Sequence, residues 1–187
     1  MADLIVVTHP EVTVDPAVPV PEWGLSDLGR ARAQRFALSG EMEAVTRLCA
    51  STETKARETA EFLAEPRALP LSFDARLGEN DRSATGFLPP EVFEAAADAF
   101  FATPAESHRG WETALAAQAR IVQAVRELTA VHDGGDLAIV THGAVGTLLY
   151  CHLMGLPIDR RYDQPSQGHH WRADLATLRP RHGWRPL

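Results

Sequence analysis

Two periods of apolar spacing run through the chain. Leu4-Ile5-Val6-Val7-Thr8 and Leu137-Ala138-Ile139-Val140 are short, uninterrupted runs rich in β-branched residues, the pattern of strands covered on both faces. Leu48-Cys49-Ala50 is a shorter run of the same kind, and Ser72-Phe73 a weak one. Between them the spacing turns helical. Ser26 is placed to cap a helix that runs to Leu38 and ends at Gly40, and a second helix spans Thr52 to Leu63. Pro90 to Phe101 starts on a proline, Gly110 to His132 is long, amphipathic and closed by Gly134-Gly135, and Gly143 to Met154 is stopped by Gly155 and Pro157. Residues 10 to 25 are proline-rich and aperiodic, which predicts a long loop. The tail from Gly168 to Leu187 reads as one or two strands with a turn near His182-Gly183.

Strands alternating with helices predict a doubly wound α/β fold, a mostly parallel sheet with helices on both faces. In such sheets ligands bind beyond the carboxyl ends of the strands. His9 directly follows the first strand and His142 the strand Leu137 to Thr141, so both imidazoles are expected at one sheet edge, over one ligand.

Length and charge narrow the reading. The 187 residues suit a single domain, 1-187, and no apolar run approaches the roughly 18–20 residues that span a bilayer. Met1-Ala2-Asp3-Leu4 lacks the basic start of a secretory signal, so a cytoplasmic location is expected, with no membrane partner. A net charge of -7 with scattered basic residues argues against nucleic acid, which binds through clustered Lys and Arg. The cluster from Arg172 to Arg185 reads as a solvated edge. Cys49 and Cys151 have no metal-ligand spacing and read as buried thiols. An anionic small molecule stays open where positive charge converges locally.

Val7-Thr8-His9-Pro10-Glu11, Leu25 to Ala31, Ala50 to Ala60, Leu77-Gly78-Glu79 and Val140-Thr141-His142-Gly143 follow one another along the chain, and the ordered set resembles the histidine phosphatase (phosphoglycerate mutase-like) superfamily. Val7-Thr8-His9-Pro10-Glu11 is similar to its Arg-His-Gly signature, and Leu25-Ser26-Asp27-Leu28-Gly29-Arg30-Ala31 to its Leu-Thr-x-x-Gly-x-x-Gln helix start. Ala50-Ser51-Thr52 through Lys55-Ala56-Arg57-Glu58-Thr59-Ala60 resembles its Ser-x-x-x-Arg-Ala-x-x-Thr-Ala helix. Leu77-Gly78-Glu79 and Val140-Thr141-His142-Gly143 resemble the segments carrying its general acid and second histidine. The resemblance implies that His9 is the nucleophile, that Glu79 is the general acid and base, and that His142 stabilises the transferring phosphoryl group. It also implies a site without metal or cofactor. Phosphate would then be bound by Thr8 and Lys55, at the positions of the family's two arginines, and by the backbone where a helix begins at Gly143.

The departures change the chemistry expected. Thr8 and Lys55 replace two planar, bidentate guanidinium groups, and Pro10 replaces a glycine and removes a backbone N–H. Arg57 lies about 200° round a helix from Lys55, so the two cannot share the site; Arg82, after Glu79, is a freer candidate, and for both a surface charge is the plainer reading. His169 and His170 face opposite sides of a strand, so at most one joins His9 and His142; three imidazoles with Glu79 would suit zinc, although the resemblance is to a metal-free site. Trp23, Trp111, Trp171 and Trp184 are expected in core or loop packing, with the mouth of the pocket as an alternative place for Trp23. Residues 10 to 25 and 80 to 110 are expected to form lids.

Two functions follow. The first is a metal-independent phosphomonoester hydrolase acting on a small phosphorylated metabolite, with mutase action disfavoured for want of further cations. The second is a degenerate family member that binds a phosphate-like anion or a protein partner without turnover. The sequence does not specify an oligomeric state.

Overall fold

The computed structural model describes residues 2–187. Six strands form one sheet in the order β3-β2-β4-β1-β5-β6: β1 (Asp3–Thr8), β2 (Val45–Ala50), β3 (Leu71–Phe73), β4 (Asp136–Thr141), β5 (His169–Asp174) and β6 (Arg185–Pro186). The first four are mutually parallel, β5 runs antiparallel to β1, and β6 antiparallel to β5. Helices α1 (Asp27–Ala37), α2 (Thr54–Ala64), α3 (Pro90–Ala102), α4 (Ala114–Ala130) and α5 (Gly143–Met154) cover the sheet. The doubly wound, mostly parallel arrangement expected from the alternation of elements is the one observed.

The pleat sorts the apolar runs into two cores. Leu4 and Val6 of β1 and Leu137 and Ile139 of β4 pack with α3, α4 and α5 in one cluster. Ile5 and Val7, with Ala138 and Val140, pack with α1 and α2 in the other. A strand covered by helices on both faces has no polar side to show, hence the unbroken runs. No described helix is long and apolar enough to cross a membrane.

Several boundaries differ from those predicted, each for a local reason. β2 begins at Val45, because Thr46 and Arg47 face outward and interrupt the apolar run. The helix expected from Gly110 starts at Ala114: Thr113 caps it, accepting from the Ala116 N–H at 3.1 Å, while Gly110 holds φ +81, outside helical space. The helix expected from Thr52 starts at Thr54, leaving Glu53 extended at φ -68, ψ 140. The tail reverses at Leu175–Leu178, where the Leu178 N–H bonds the Asp174 carbonyl at 2.8 Å, rather than at His182-Gly183. Loop 10–25 is stitched by a Val12–Leu25 bridge and holds one 3₁₀ turn, Val20–Glu22.

The register positions the site. Thr8 lies opposite Thr141 in the parallel β1–β4 pair, and the His9 N–H continues the ladder to the Thr141 carbonyl at 3.3 Å. His9 and His142 therefore leave the sheet side by side. β2 flanks β4 in parallel, so residues 51–53 leave at the same edge.

Candidate active site

The two imidazoles meet edge to face, with ring centroids 5.2 Å apart. The Nδ1 of His9 lies 2.9 Å from the Pro10 carbonyl, which can only accept. That bond puts the ring proton on Nδ1 and leaves a lone pair on Nε2. Burial, and then the charge of Lys55, push the His9 pKa down to about 4, so the ring is neutral at physiological pH. His142 is fully buried and its pKa is likewise lowered by burial. Its Nε2 lies 2.9 Å from Ser51 Oγ and 3.4 Å from Glu53 Oε1, and its buried Nδ1 has no partner among the described residues. A proton on Nε2 is therefore the arrangement that meets an acceptor.

Glu53 is one of two residues that sequence reasoning missed, Gln164 being the other. Its carboxylate accepts from Lys55 Nζ at 2.5 Å through Oε2 and from the Glu79 N–H at 2.9 Å through Oε1. Burial works against its ionisation, but attraction to His142 and Lys55 and these hydrogen bonds hold its pKa down at about 2. Lys55, the cation brought to the site from α2, is thus already paired, and it also donates to the Val20 carbonyl at 2.9 Å. A signal was available in the sequence: the segment after β2 must emerge at the same sheet edge as His9 and His142.

Glu79 reaches the first turn of α5. The N–H groups of Ala144 and Val145 donate to its carboxylate at 3.3 and 3.2 Å, so the helix-start amides expected to hold phosphate hold this side chain instead. Burial nevertheless raises the Glu79 pKa, and the nearby Glu53 charge adds to the rise against the pull of Arg82. A carboxyl that keeps its proton above the usual range is suited to acid catalysis. Its loop is clamped from α4: Arg120 donates to the carbonyls of Arg76 at 2.7 Å and Gly78 at 3.0 Å while forking onto Glu112.

Thr8 does not reach the cavity, which corrects its expected phosphate-binding role. The side chain is fully buried; its hydroxyl accepts from the His169 N–H at 3.0 Å and donates to Gln164 Oε1 at 2.6 Å. This fixes the Gln164 amide with its NH2 beside Gly143, where a Cβ would come within 2.7 Å of Nε2. Gly143 is thus needed for close approach, and Gln164 brings a donor that no motif announced. Thr8→Val keeps the shape but leaves the His169 N–H without an acceptor. We expect it to cost roughly 1–3 kcal/mol of stability, measured by urea unfolding; an unchanged midpoint would show that Gln164 needs no such anchor.

His9, Lys55, Glu79, Arg82, Gly143 and Gln164 line a cavity of about 520 Å³, while the fully buried His142 sits behind His9 and outside that lining. Trp23, Phe87, Phe93, Phe100 and Trp111 form an aromatic part of its wall, and Asn80, Asp163 and Gln167 are among the polar residues of the rest. Loop residues Val12 to Trp23 and the segment from Arg82 to Phe101 supply most of the lining. Arg82, read as a surface charge in the sequence, is in this lining, its guanidinium carbon 5.0 Å from the Phe93 ring centroid and 5.6 Å from that of Trp111. A second cavity of about 890 Å³ shares Val20, Glu79, Arg82 and Phe87 and opens onto Glu53.

The remaining candidates lie elsewhere. Arg57 stacks over Phe73 at 4.7 Å. His170 packs against Phe36 and His182, with ring centroids at 4.8 and 5.9 Å, and His169 gives its main chain to Thr8. The three-imidazole site is therefore not assembled, and no group of three or more His, Cys, Asp or Glu among the described residues is spaced to hold a metal ion. Trp111 and Trp171 are core residues, and Cys49 and Cys151 are free and buried.

Comparison with known proteins identifies the family and the fold. The sequence model of the histidine phosphatase superfamily (branch 1) matches residues 15–173. The match includes Glu53, Lys55, Glu79 and His142 and begins beyond His9. No curated protein matches the chain in sequence. Mycobacterial glucosyl-3-phosphoglycerate phosphatase superposes with a TM-score of 0.81 at 21% identity, over 100% of this chain and 99% of its own. YhfR of Bacillus stearothermophilus gives 0.81 at 24% identity, over 98% and 95%. An alpha-ribazole phosphatase from Shigella flexneri gives 0.71 at 18%, over 99% and 95%. At these identities the likeness is one of fold. The mycobacterial phosphatase is also known in complex with inorganic phosphate and with VO3.

Proposed function

The chain belongs to the histidine phosphatase superfamily (branch 1), and from that premise we propose that it is a metal-independent phosphomonoester hydrolase working through a phosphohistidine on His9. The observation that carries the reading is the His9 ring: neutral, held at Nδ1 by the Pro10 carbonyl, its Nε2 lone pair free beside His142. In the first step that lone pair forms a bond to phosphorus as the ester P–O bond breaks, and the Glu79 proton passes to the leaving oxygen. In the second, the Glu79 carboxylate takes a proton from water as the water oxygen bonds phosphorus and the N–P bond breaks. Phosphate leaves and His9 regains its lone pair. His142, Lys55, Arg82 and the Gln164 amide supply donors and charge for the equatorial oxygens, the term on which phosphoryl transfer chiefly depends.

The rings of Trp23, Phe87, Phe93, Phe100 and Trp111 favour monoesters of apolar alcohols over those of sugars or polyols, whose hydroxyls gain nothing from these rings and must find partners among polar lining residues such as Asn80, Asp163 and Gln167. We expect EDTA-treated protein to hydrolyse 1-naphthyl phosphate with a kcat/KM at least about tenfold above that for glucose 6-phosphate or 3-phosphoglycerate, corresponding to about 1.4 kcal/mol of selective binding. A preference for the polar esters would overturn the substrate class. Absence of turnover on every ester, with no phosphohistidine trapped, would overturn the reaction. A second reading, an anion-binding member without turnover, draws on the Glu53–Lys55 pair and on Thr8 standing where the family signature has an arginine; it predicts phosphate binding with no release of product from any ester.

A further inference from the structure

Glu53 takes no part in either chemical step, yet its carboxylate engages groups that the reaction needs free. Lys55 Nζ lies 2.5 Å from Oε2, and the Glu79 N–H donates to Oε1 at 2.9 Å. His142 Nε2 lies 3.4 Å from Oε1. These are a cation, a backbone donor and an imidazole donor. A transferring phosphoryl group would ask the same of them, because its equatorial oxygens are acceptors like those of a carboxylate. The Glu53 side chain is 15% exposed and that of Lys55 4%, so their attraction is little screened. Where a phosphate-gripping cation would otherwise stand open, this chain supplies its own anion.

We propose that Glu53 is a built-in competitor for the phosphoryl seat and thereby a specificity-determining residue of the reaction. The inference rests on the hydrolase reading above and deepens it. A bare phosphate, or an ester of a very small alcohol, must displace Glu53 using its phosphoryl contacts alone. An ester with an apolar group gains further binding energy in the aromatic cavity and spends part of it on that displacement. The second cavity, which opens onto Glu53, is space into which the displaced side chain can turn. The same competition returns after hydrolysis, when Glu53 reclaims Lys55 and helps expel the product phosphate.

Glu53→Gln keeps the shape and removes the charge. Calorimetric titration of inorganic phosphate into the full chain is expected to show at least tenfold tighter binding for Glu53→Gln than for the native protein, and Lys55→Gln added to that variant should erase the gain. In steady state, KM for methyl phosphate should fall more than KM for 1-naphthyl phosphate. Unchanged or weaker phosphate binding in a Glu53→Gln protein with native-like thermal unfolding would overturn the inference. So would a collapse of kcat at constant KM, the signature of a residue that merely orients His142. If Glu53→Gln does not fold, Glu53→Asp, which draws the carboxylate back by one methylene, should shift phosphate affinity in the same direction by a smaller factor. Tighter phosphate binding without turnover in either protein would uphold Glu53 as competitor and defeat the hydrolase reading. Turnover by the native protein without tighter binding in the variant would do the reverse.

Discussion

His9→Ala is expected to reduce phosphomonoester hydrolysis by roughly 10⁴-fold or more and to abolish the phosphoenzyme, because the other imidazole lone pair at the site, on Nδ1 of the fully buried His142, is closed off from an incoming phosphoester. Among the described residues His142 is the only other imidazole in contact with His9, and its Nε2 faces Ser51 and Glu53. The fold should survive the change. Among the described residues His9 makes one side-chain hydrogen bond, to Pro10, and loss of such a bond costs about 1 kcal/mol. Quenching the native protein in alkali during turnover of a phosphoester should trap a phosphoramidate that is stable in base and lost in acid, and the variant should yield none. The scheme fails if His9→Ala keeps its activity, or if the label appears on a residue other than His9.

How much of this was legible in the sequence follows from which interactions are local. The two uninterrupted runs at β1 and β4 announced a sheet covered on both faces, and the position of a histidine just after each was enough to bring His9 and His142 together, because parallel neighbours in register end at the same edge. Glu79 was placed by its resemblance to a motif, but not its seat on the first turn of α5, which depends on how a loop returns from β3 under the Arg120 clamp. Glu53 was missed although the same edge rule applies to β2. The residue two positions before Lys55 was read as part of a helix, whereas it is the extended residue preceding one. Gln164 carried no local signal. It reaches the cavity because Thr8, 156 positions earlier, anchors it, and such a partnership exists only once β5 has docked on β1. Thr8 itself was misread for the converse reason: a residue standing where a resembling motif has a phosphate ligand had already been spent on holding the fold.

The charge inventory explains why substitution at those motif positions need not empty the site. Lys55 is offset by Glu53, and Arg82 is held over two aromatic rings at the cavity. The positive charge left to meet a phosphoester is thus displaced from the edge beside His9 toward the loop after Glu79.

The second large effect is expected at Glu79 and shows in the pH profile. For the native protein, kcat/KM should rise through about pH 4 as His9 loses its proton, since burial and Lys55 hold that pKa down and only the neutral ring attacks. It should fall again at a pH above the ordinary carboxylate range, as Glu79 loses the proton that burial helps it keep. The substrate's own second ionisation, near pH ~6, bends both limbs but is common to native protein and variant. The difference between the two profiles therefore isolates Glu79. Glu79→Gln should lower turnover of an alkyl phosphate by about 10²–10⁴-fold, the usual worth of a positioned proton donor, and should remove the alkaline limb. An aryl ester with a good leaving group separates the two roles of the residue. Its first step needs little acid, so the variant should release a burst of phenol stoichiometric with protein and then stall as phosphohistidine, for want of a base to activate water. If the alkaline limb persists in Glu79→Gln and no burst appears, the carboxylate on the first turn of α5 is a helix cap and the proton for the leaving group comes from another donor.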